Sequence, residues 1–587
     1  MRWMSYDTET TGLQLHYGKR MFSYSTCTDD GTIDVRRLDG SRSRVASNSL
    51  HLQKLMDEAK QKRVAIVMHN SKFDLLATEY YLDSKLAEDI VFHDTYLQSH
   101  LLHNNHMTHA LDDLAWELAS FPRDNDKRVQ RFARGKDYQN VPEELMDPYQ
   151  EDDAERTALL HAFMYPLIAA NPNWLECYQT EIDLIPVTMR MEQRGIMLDK
   201  KRCLEMRDKL HTDAECVLDS VEDYCGRRLN LNGGPDIGWF LYEFAKLPVL
   251  KRTAKTQQPS TDKEVLNELR LEHNHPAIEL LMQYRSWARG AKMMDNYYEL
   301  ADADGTIYPT IHTCEAVTSR ESCRNPNLQN VQKSGVLTSP YSIPARRVFR
   351  PRPDCINIHI DYSGIELRIL VHYSGEPELI EIIRNGGDVH AEAATVFYRS
   401  DFTNATDKAV RKTYRDASKN ANFAIPYGAS AAKVCHTLNL PYSIGSIRYA
   451  DYKRRWPRIT NLTNTIAAQV RQVGYVETVF GRRLHVPREM AYVGTNYATQ
   501  GSAAEVIKRA QIRVDRLLRG SALCLLLPIH DEIVVQCPRS SIKYLPEVMP
   551  EIRRVMIDFP QFSVPLEIEA SVCTRDWATK KELAICH

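Results

Sequence analysis

Two groups of carboxylates and one stripe of cations and aromatics carry the chemistry legible in this sequence. Asp7 and Glu9 stand two apart just past a short apolar run, a spacing that puts both on one side of an extended chain. Asp74 follows a second apolar run, and Tyr149 and Asp153 are four apart, on one face of a predicted helix. Carboxylates converging from two strand ends and a helix repel one another unless divalent cations neutralise them, and hard cations such as Mg²⁺ take oxygen ligands. A pair of such cations suits phosphodiester hydrolysis: one acidifies the attacking water and the other stabilises the leaving oxygen. Tyr149 is placed to orient that water.

The second group lies far along the chain. Ile356, Ile358 and Ile360 alternate with Asn357 and His359, a period-two strand that ends on Asp361. His530-Asp531-Glu532 sits between the apolar runs Leu523–Ile529 and Ile533–Val535, which predicts a hairpin with carboxylates at its turn. Between these, Arg415, Lys419, Phe423 and Tyr427 recur every four residues and share one helical face. Two cations followed by two aromatics can hold a triphosphate at one end and stack a base at the other. With two aspartates on adjacent strands, the set suits two-metal nucleotidyl transfer.

The elements that must position these residues are mixed. Strands are expected at Arg2–Tyr6 and Val64–Met68, a helix at Leu75–Leu86, and another after Pro148 holding Tyr149 to Met164. A boundary is expected near Pro172, then mainly helix from Glu181 to Leu300, strands again from Ile307, and helix over most of 390–515. Pro426 removes an amide donor and disfavours helix at Ile425.

Composition bounds the rest. The 587 residues are 43% hydrophobic and 26% charged, which excludes collagen-like, mucin-like and largely disordered chains. No apolar run reaches the roughly 18 residues of a membrane span. The formal charge of -2 hides a polarity: residues 1–165 hold 20 Lys+Arg against 27 Asp+Glu, and the remainder 55 against 50. Thirteen cysteines without a CxxC pair fit reduced, mostly buried thiols rather than a zinc site. No leader segment is expected ahead of Asp7.

The front carboxylates, with His93-Asp94-Thr95 and Leu111-Asp112-Asp113-Leu114, resemble the motifs of the DnaQ-like 3′–5′ exonucleases that use tyrosine in the third motif. That resemblance implies Asp7, Glu9, Asp74 and Asp153 as metal ligands. The remainder resembles a family A DNA polymerase of the DNA polymerase I type. Asp361–Arg368, Arg415–Gly428 and His530–Glu532 stand as its motifs A, B and C. Arg320 through Asn330, Gly481-Arg482-Arg483 and Asn496 to Gly501 stand as its DNA-contacting segments, and Met191–Ile196 with Ser260–Asp262 as thumb.

The resemblance implies an α/β multidomain chain: an RNase H-like exonuclease domain (1–165), linker and thumb (166–305), first palm part (306–385), fingers with return to palm (386–515), and second palm part (516–587). It implies Asp361, Asp531 and the Tyr362 carbonyl as metal ligands, with Glu532 near the primer terminus. Arg415, Lys419, Phe423, Tyr427 and His390 are implied at the nucleotide, with Glu366 crowding the sugar 2′ position. Arg320, Asn327, Gln329, Asn330, Arg482, Arg483, Asn496, Gln500 and His530 are implied on DNA. Implied cofactors are two Mg²⁺ per site, with Mn²⁺ as a substitute. Implied partners are primer–template DNA, dNTPs, a single-stranded 3′ end at the exonuclease site, and a replisome helicase or primase; thioredoxin and membrane are not expected. Phe423, which lacks a hydroxyl, is expected to discriminate against dideoxynucleotides.

Gly364 stands where many relatives have Gln, and Thr318–Cys323 departs from the family's Gly- and Ser-rich version. With no 5′-nuclease segment ahead of Asp7 and no room at 185–305 for a long thumb insertion, a bacteriophage replicative polymerase working in the host bacterium's cytoplasm is expected. The rival expectations are a single-subunit RNA polymerase and an exonuclease whose polymerase body only binds DNA.

Overall fold

The computed structural model describes residues 2–133, 137–253, 256–331, 341 and 343–583, the side chains of residues 124 and 125 excepted. Among these residues no helix is long and apolar enough to cross a membrane.

The front domain is built on a five-stranded sheet. Strand β1 (Arg2–Thr10) pairs antiparallel with β2 (Met21–Thr28), which pairs with β3 (Ile33–Arg37). On its other edge β1 runs parallel to β4 (Val64–Met68), and β4 runs parallel to β5 (Phe92–Asp94). All five β4 side chains are buried, as expected of a parallel strand covered on both faces. Helix α1 (Ser71–Leu82) follows β4, and α2 (Thr95–Leu102) follows β5. Asp94 ties the two helix starts together: its carboxylate accepts from the amides of Asn70, Ser71, Tyr96 and Leu97. Helix α3 (Glu143–Ala169) closes the domain against β1 and β2.

Several boundaries differ from expectation. Asp7 and Glu9 lie inside β1 rather than past it, because pairing with β2 continues to Thr10. Helix α1 begins four residues before Leu75, on the Asp94 cap. Pro148 lies within α3 instead of preceding it, and α3 runs past residue 165 to Ala169. The next helix, α4 (Pro172–Arg194), starts on an Asn171 side-chain cap with Pro172 at its first position.

Helices α5 (Lys200–Cys225) and α6 (Pro276–Leu300) pack along each other and form the body of the thumb. The palm sheet follows. Its strand β6 (Cys355–Tyr362) leads into α7 (Ile365–Ser374) through Gly364, whose φ of 62° is left-handed and easy only for glycine. The fingers helix α8 (Lys408–Ala424) buries Ser418, Ala421 and Asn422 and leaves its cations to solvent. Helix α9 (Gly494–Leu518) returns through the molecule; its small residues Gly501, Ser502, Ala503 and Ala504 are all buried.

The sheet is completed by β7 (Cys524–Ile529), β8 (Glu532–Pro538), β9 (Ile568–Cys573) and β10 (Lys580–Leu583), all antiparallel, in the order β7-β8-β6-β9-β10. Both faces of β6 are covered: the isoleucines face one core, and Asn357 and His359 are 9% and 3% exposed on the other.

Candidate active sites

In the front domain, β1 presents Asp7 and Glu9 to Asp153 of α3. One carboxylate oxygen from each lies within 4.8 Å of the others. Burial raises all three carboxyls well above their ordinary range, and the neighbouring acids raise them further. Three oxygen donors this close, whose burial and mutual repulsion oppose ionisation, fit a divalent cation. Tyr149, one turn before Asp153, hydrogen-bonds to it.

The fourth expected ligand stands apart from this cluster. Asp74 Oδ1 accepts from the Thr8 amide at 3.0 Å and the Thr8 hydroxyl at 2.6 Å, and burial lifts its carboxyl to about 8. Arg156, which sequence reading passed over, supplies the buried positive charge: Nη1 reaches Asp153 at 2.9 Å, and the guanidinium grips Asp126 at 2.7 and 2.8 Å. Its i,i+3 spacing from Asp153 was the available signal. Asp152 lies 3.8 Å from Arg156 Nη2 and is not part of the three-carboxylate cluster.

In the palm, register brings the second group together. Asp361 on β6 stands directly opposite Glu532 on β8, and the Tyr362 amide donates to the Asp531 carbonyl at 3.2 Å. The turn before β8 bends at His530, whose φ of 57° is left-handed. The backbones of Asp361 and Asp531 therefore lie on neighbouring chains at one end of the sheet. The Tyr362 ring points away, its hydroxyl bonded to the Met556 carbonyl, so only its backbone belongs to the site. Burial raises the Asp531 carboxyl, and Glu366 raises it further.

A cleft of about 260 Å³ opens beside Asp531, lined by Arg320, Gln329, Glu366, Ala503 and His530. A larger cleft, about 620 Å³, lies at the thumb base between Arg202, Trp287 and Asp576 and contains none of these residues.

The fingers residues are partly engaged. Arg415 Nε donates to Asp388 at 2.5 Å, Lys419 is exposed, and Phe423 and Tyr427 are half-buried. His390 is nearly buried, with Nδ1 3.1 Å from Asn422 Nδ2 and its ring 5.9 Å from that of Phe423. It supports Phe423 from behind, and burial holds it neutral, down to about 4. Pro426 ends the α-helix at Ala424, yet Ile425 keeps helical angles (φ -63°, ψ -50°). The chain tightens into a 3₁₀ turn, Ile425–Tyr427, that needs no amide at Pro426 and stops at Gly428 (φ 84°).

One placement corrects the sequence reading. Arg482 is 1% exposed and offers nothing to DNA. Its guanidinium donates to Glu181 (2.5 Å), Glu505 (3.0 Å) and Ser319 Oγ (3.3 Å), and Lys508 joins Glu181 at 2.6 Å. Glu532 is paired where it stands, with His359 Nδ1 2.6 Å from it and Lys580 Nζ 2.8 Å.

Among the other expected DNA contacts, Asn327 and Asn330 are exposed, and Asn327 accepts from the Asn330 amide at 3.2 Å. Gln329 is buried near the Pro528 carbonyl, and Asn496 and Gln500 sit half-buried one turn apart on α9. Arg483 is held by Glu477 at 3.0 Å and lies over the Tyr475 ring at 4.5 Å.

Comparison with known proteins agrees with this geometry. The family described as DNA polymerase family A matches residues 200–579. The chain belongs to DNA polymerase family A. A 3′–5′ exonuclease family matches residues 1–169, so this family A chain carries an exonuclease domain ahead of its polymerase domain.

DNA polymerase I of Pseudomonas aeruginosa is 28% identical over 543 residues, covering 89% of this chain and 57% of the relative. The thermostable DNA polymerase I of Thermus filiformis is 30% identical over 453 residues, covering 74% and 52%. The chain thus spans about half the length of the curated relatives it matches. Among solved structures, the POL domain of Pol1 from M. smegmatis, in complex with DNA primer-template and dNTP, has the same fold. Its TM-score is 0.80 at 22% identity, over 98% of this chain and 95% of that one.

Proposed function

We propose that the chain is a template-directed DNA polymerase that extends a primer 3′-hydroxyl with dNTPs and removes misincorporated nucleotides through its 3′–5′ exonuclease domain. The observation that carries this reading is the juxtaposition of Asp361 and Asp531 at the sheet end through the Tyr362–Asp531 backbone bond, with the Glu366 cleft beside them.

Asp361, Asp531 and the Tyr362 carbonyl would hold divalent cations at the polymerase site, and Asp7, Glu9 and Asp153, with Asp74 behind them, at the exonuclease site. Bound there, Mg²⁺, or Mn²⁺ in its place, supplies Lewis acidity towards the attacking and leaving oxygens. The chain's own residues bind and orient. Lys419 and Arg415 take the triphosphate, Arg415 exchanging Asp388 for phosphate; Phe423 and Tyr427 bound the nascent pair; Glu366 crowds a ribose 2′-hydroxyl. Lys419 would give its proton to departing pyrophosphate.

The finer setting belongs to the same proposal: phage genome replication in a bacterial cytoplasm, a single-stranded 3′ end at the exonuclease cluster, and a helicase or primase as partner. Its support is that, among the described residues, only short helical pieces lie between α5 and α6.

The test is primer extension and single-strand degradation with Mg²⁺. Asp531→Asn should abolish extension and spare degradation, and Asp7→Ala should do the reverse. Loss of both activities in both variants would sink this division of labour.

A further inference from the structure

The segment from Ile311 to Arg320 leaves the exonuclease domain's surface and ends in the polymerase cleft. Exonuclease-domain side chains hold its backbone by four carbonyls. Lys72 donates to Ile311, the Tyr96 hydroxyl to Cys314 at 3.2 Å, His100 Nε2 to Ala316 at 3.1 Å, and Asn104 Nδ2 to Val317 at 2.7 Å. Tyr96 and His100 are four apart on α2, hence on one face, and Asn104 lies just beyond its end. His100 and Asn104 are 2% and 3% exposed.

The segment then turns. The Ser319 amide donates to the Ala316 carbonyl at 2.7 Å, and Ser319 sits at a left-handed φ of 59° with Arg482 on its hydroxyl. A non-glycine residue held at such an angle needs surroundings that over-determine it. Arg320, the next residue, reaches Glu366.

We propose that this segment is a strap by which the exonuclease domain sets the position of Arg320, making Tyr96, His100 and Asn104 positioning residues for nucleotide addition. The inference rests on the polymerase reading above. Generic glue between domains would use any exposed groups. Here the bonds fall on the carbonyls of Ile311, Cys314, Ala316 and Val317, and the turn closed by the Ser319 amide carries the chain from them to the arginine of the cleft.

The test uses the full chain with Tyr96→Phe, which removes one hydroxyl and keeps the ring, and with Asn104→Asp, which keeps the acceptor for the His485 amide and loses the donor to Val317. In the double variant the preference for dNTP over rNTP should fall by roughly fivefold or more, with kcat/KM for the next dNTP, as displaced contacts near a reacting centre do. Single-strand degradation should stay within about twofold of wild type. His100→Gln, which keeps an N–H donor, should stay nearer wild type than His100→Ala.

An unchanged preference, or an equal fall in both activities, overturns the strap. Failure of the wild-type chain to extend a primer overturns the functional reading instead. In that case hydrogen exchange decides the strap: faster exchange at Val317–Arg320 in the double variant supports it, and unchanged protection overturns it.

Discussion

Arg320 Nη2 donates to Glu366 Oε1 at 2.6 Å, an ion pair across the mouth of the cleft that Asp531 lines. Both side chains are about one-third exposed, so the pair is worth little to stability and its meaning is positional. Glu366→Ala should raise ribonucleotide use at least about tenfold, the scale on which a pocket rejects a small added group. Arg320→Ala should slow extension and, by freeing Glu366, lower the preference for dNTP over rNTP by at least the roughly fivefold expected of a displaced strap. Competition of rNTP against dNTP on one primed template reads both.

Phe423 occupies the α8 face beside His390. Phe423→Tyr adds the one hydroxyl that could replace a missing 3′-hydroxyl. It should raise dideoxynucleotide incorporation by about tenfold or more. Equal termination by both proteins would remove Phe423 from the nucleotide site.

The buried network of Glu181, Arg482, Lys508 and Glu505 makes a stability prediction. Glu181→Gln keeps an acceptor oxygen but removes the shared negative charge from two cations that are 1% and 0% exposed. It should cost about 3–5 kcal/mol, as removal of one partner from a buried ion pair does. Glu176→Gln is the control: its carboxylate is 63% exposed beside Arg509, and the change should cost under about 1 kcal/mol. Denaturant unfolding of the two variants distinguishes them.

Glu532 gives a pH prediction with a fixed sign. Burial opposes its charge, but His359 and Lys580 outweigh burial and hold the carboxyl down to about 2, against an ordinary 4.5. A depressed carboxyl contributes its stability above the unfolded value and loses it as pH falls towards the folded one. The stability gap between wild type and Glu532→Gln should therefore be constant above about pH 5, on the order of 2 kcal/mol, and close between pH 4.5 and 2. A gap that widens on acidification would contradict the assignment.

Much of this was legible locally. Asp7 and Glu9 share a strand face because their spacing is two, and Asp153 shares a helix face with Tyr149 because theirs is four; the carboxylate cluster follows both. The β6 alternation and the carboxylate turn before β8 also stand where the period placed them.

What escaped was decided by distant partners. Arg482 stands in the resemblance as a DNA contact, yet its acidic partners lie 301 residues before it and 23 after. Glu532 was read from its motif, whereas His359 and Lys580 come from other strands of the sheet. Pro426 was read as a helix breaker, and a tighter turn absorbed it.

The Glu181–Lys508 bond spans 327 residues of chain. During synthesis at about 5–20 residues per second, Glu181 leaves the ribosome some tens of seconds before the lysine that neutralises it. The front domain holds its own sheet and core from residues made early. It should therefore fold first and wait, its docking face still hydrated, until α9 emerges. The seam between the domains then closes only after that wait, and the interval before it closes is when a nascent chain is most exposed to proteases and to misassociation with its neighbours.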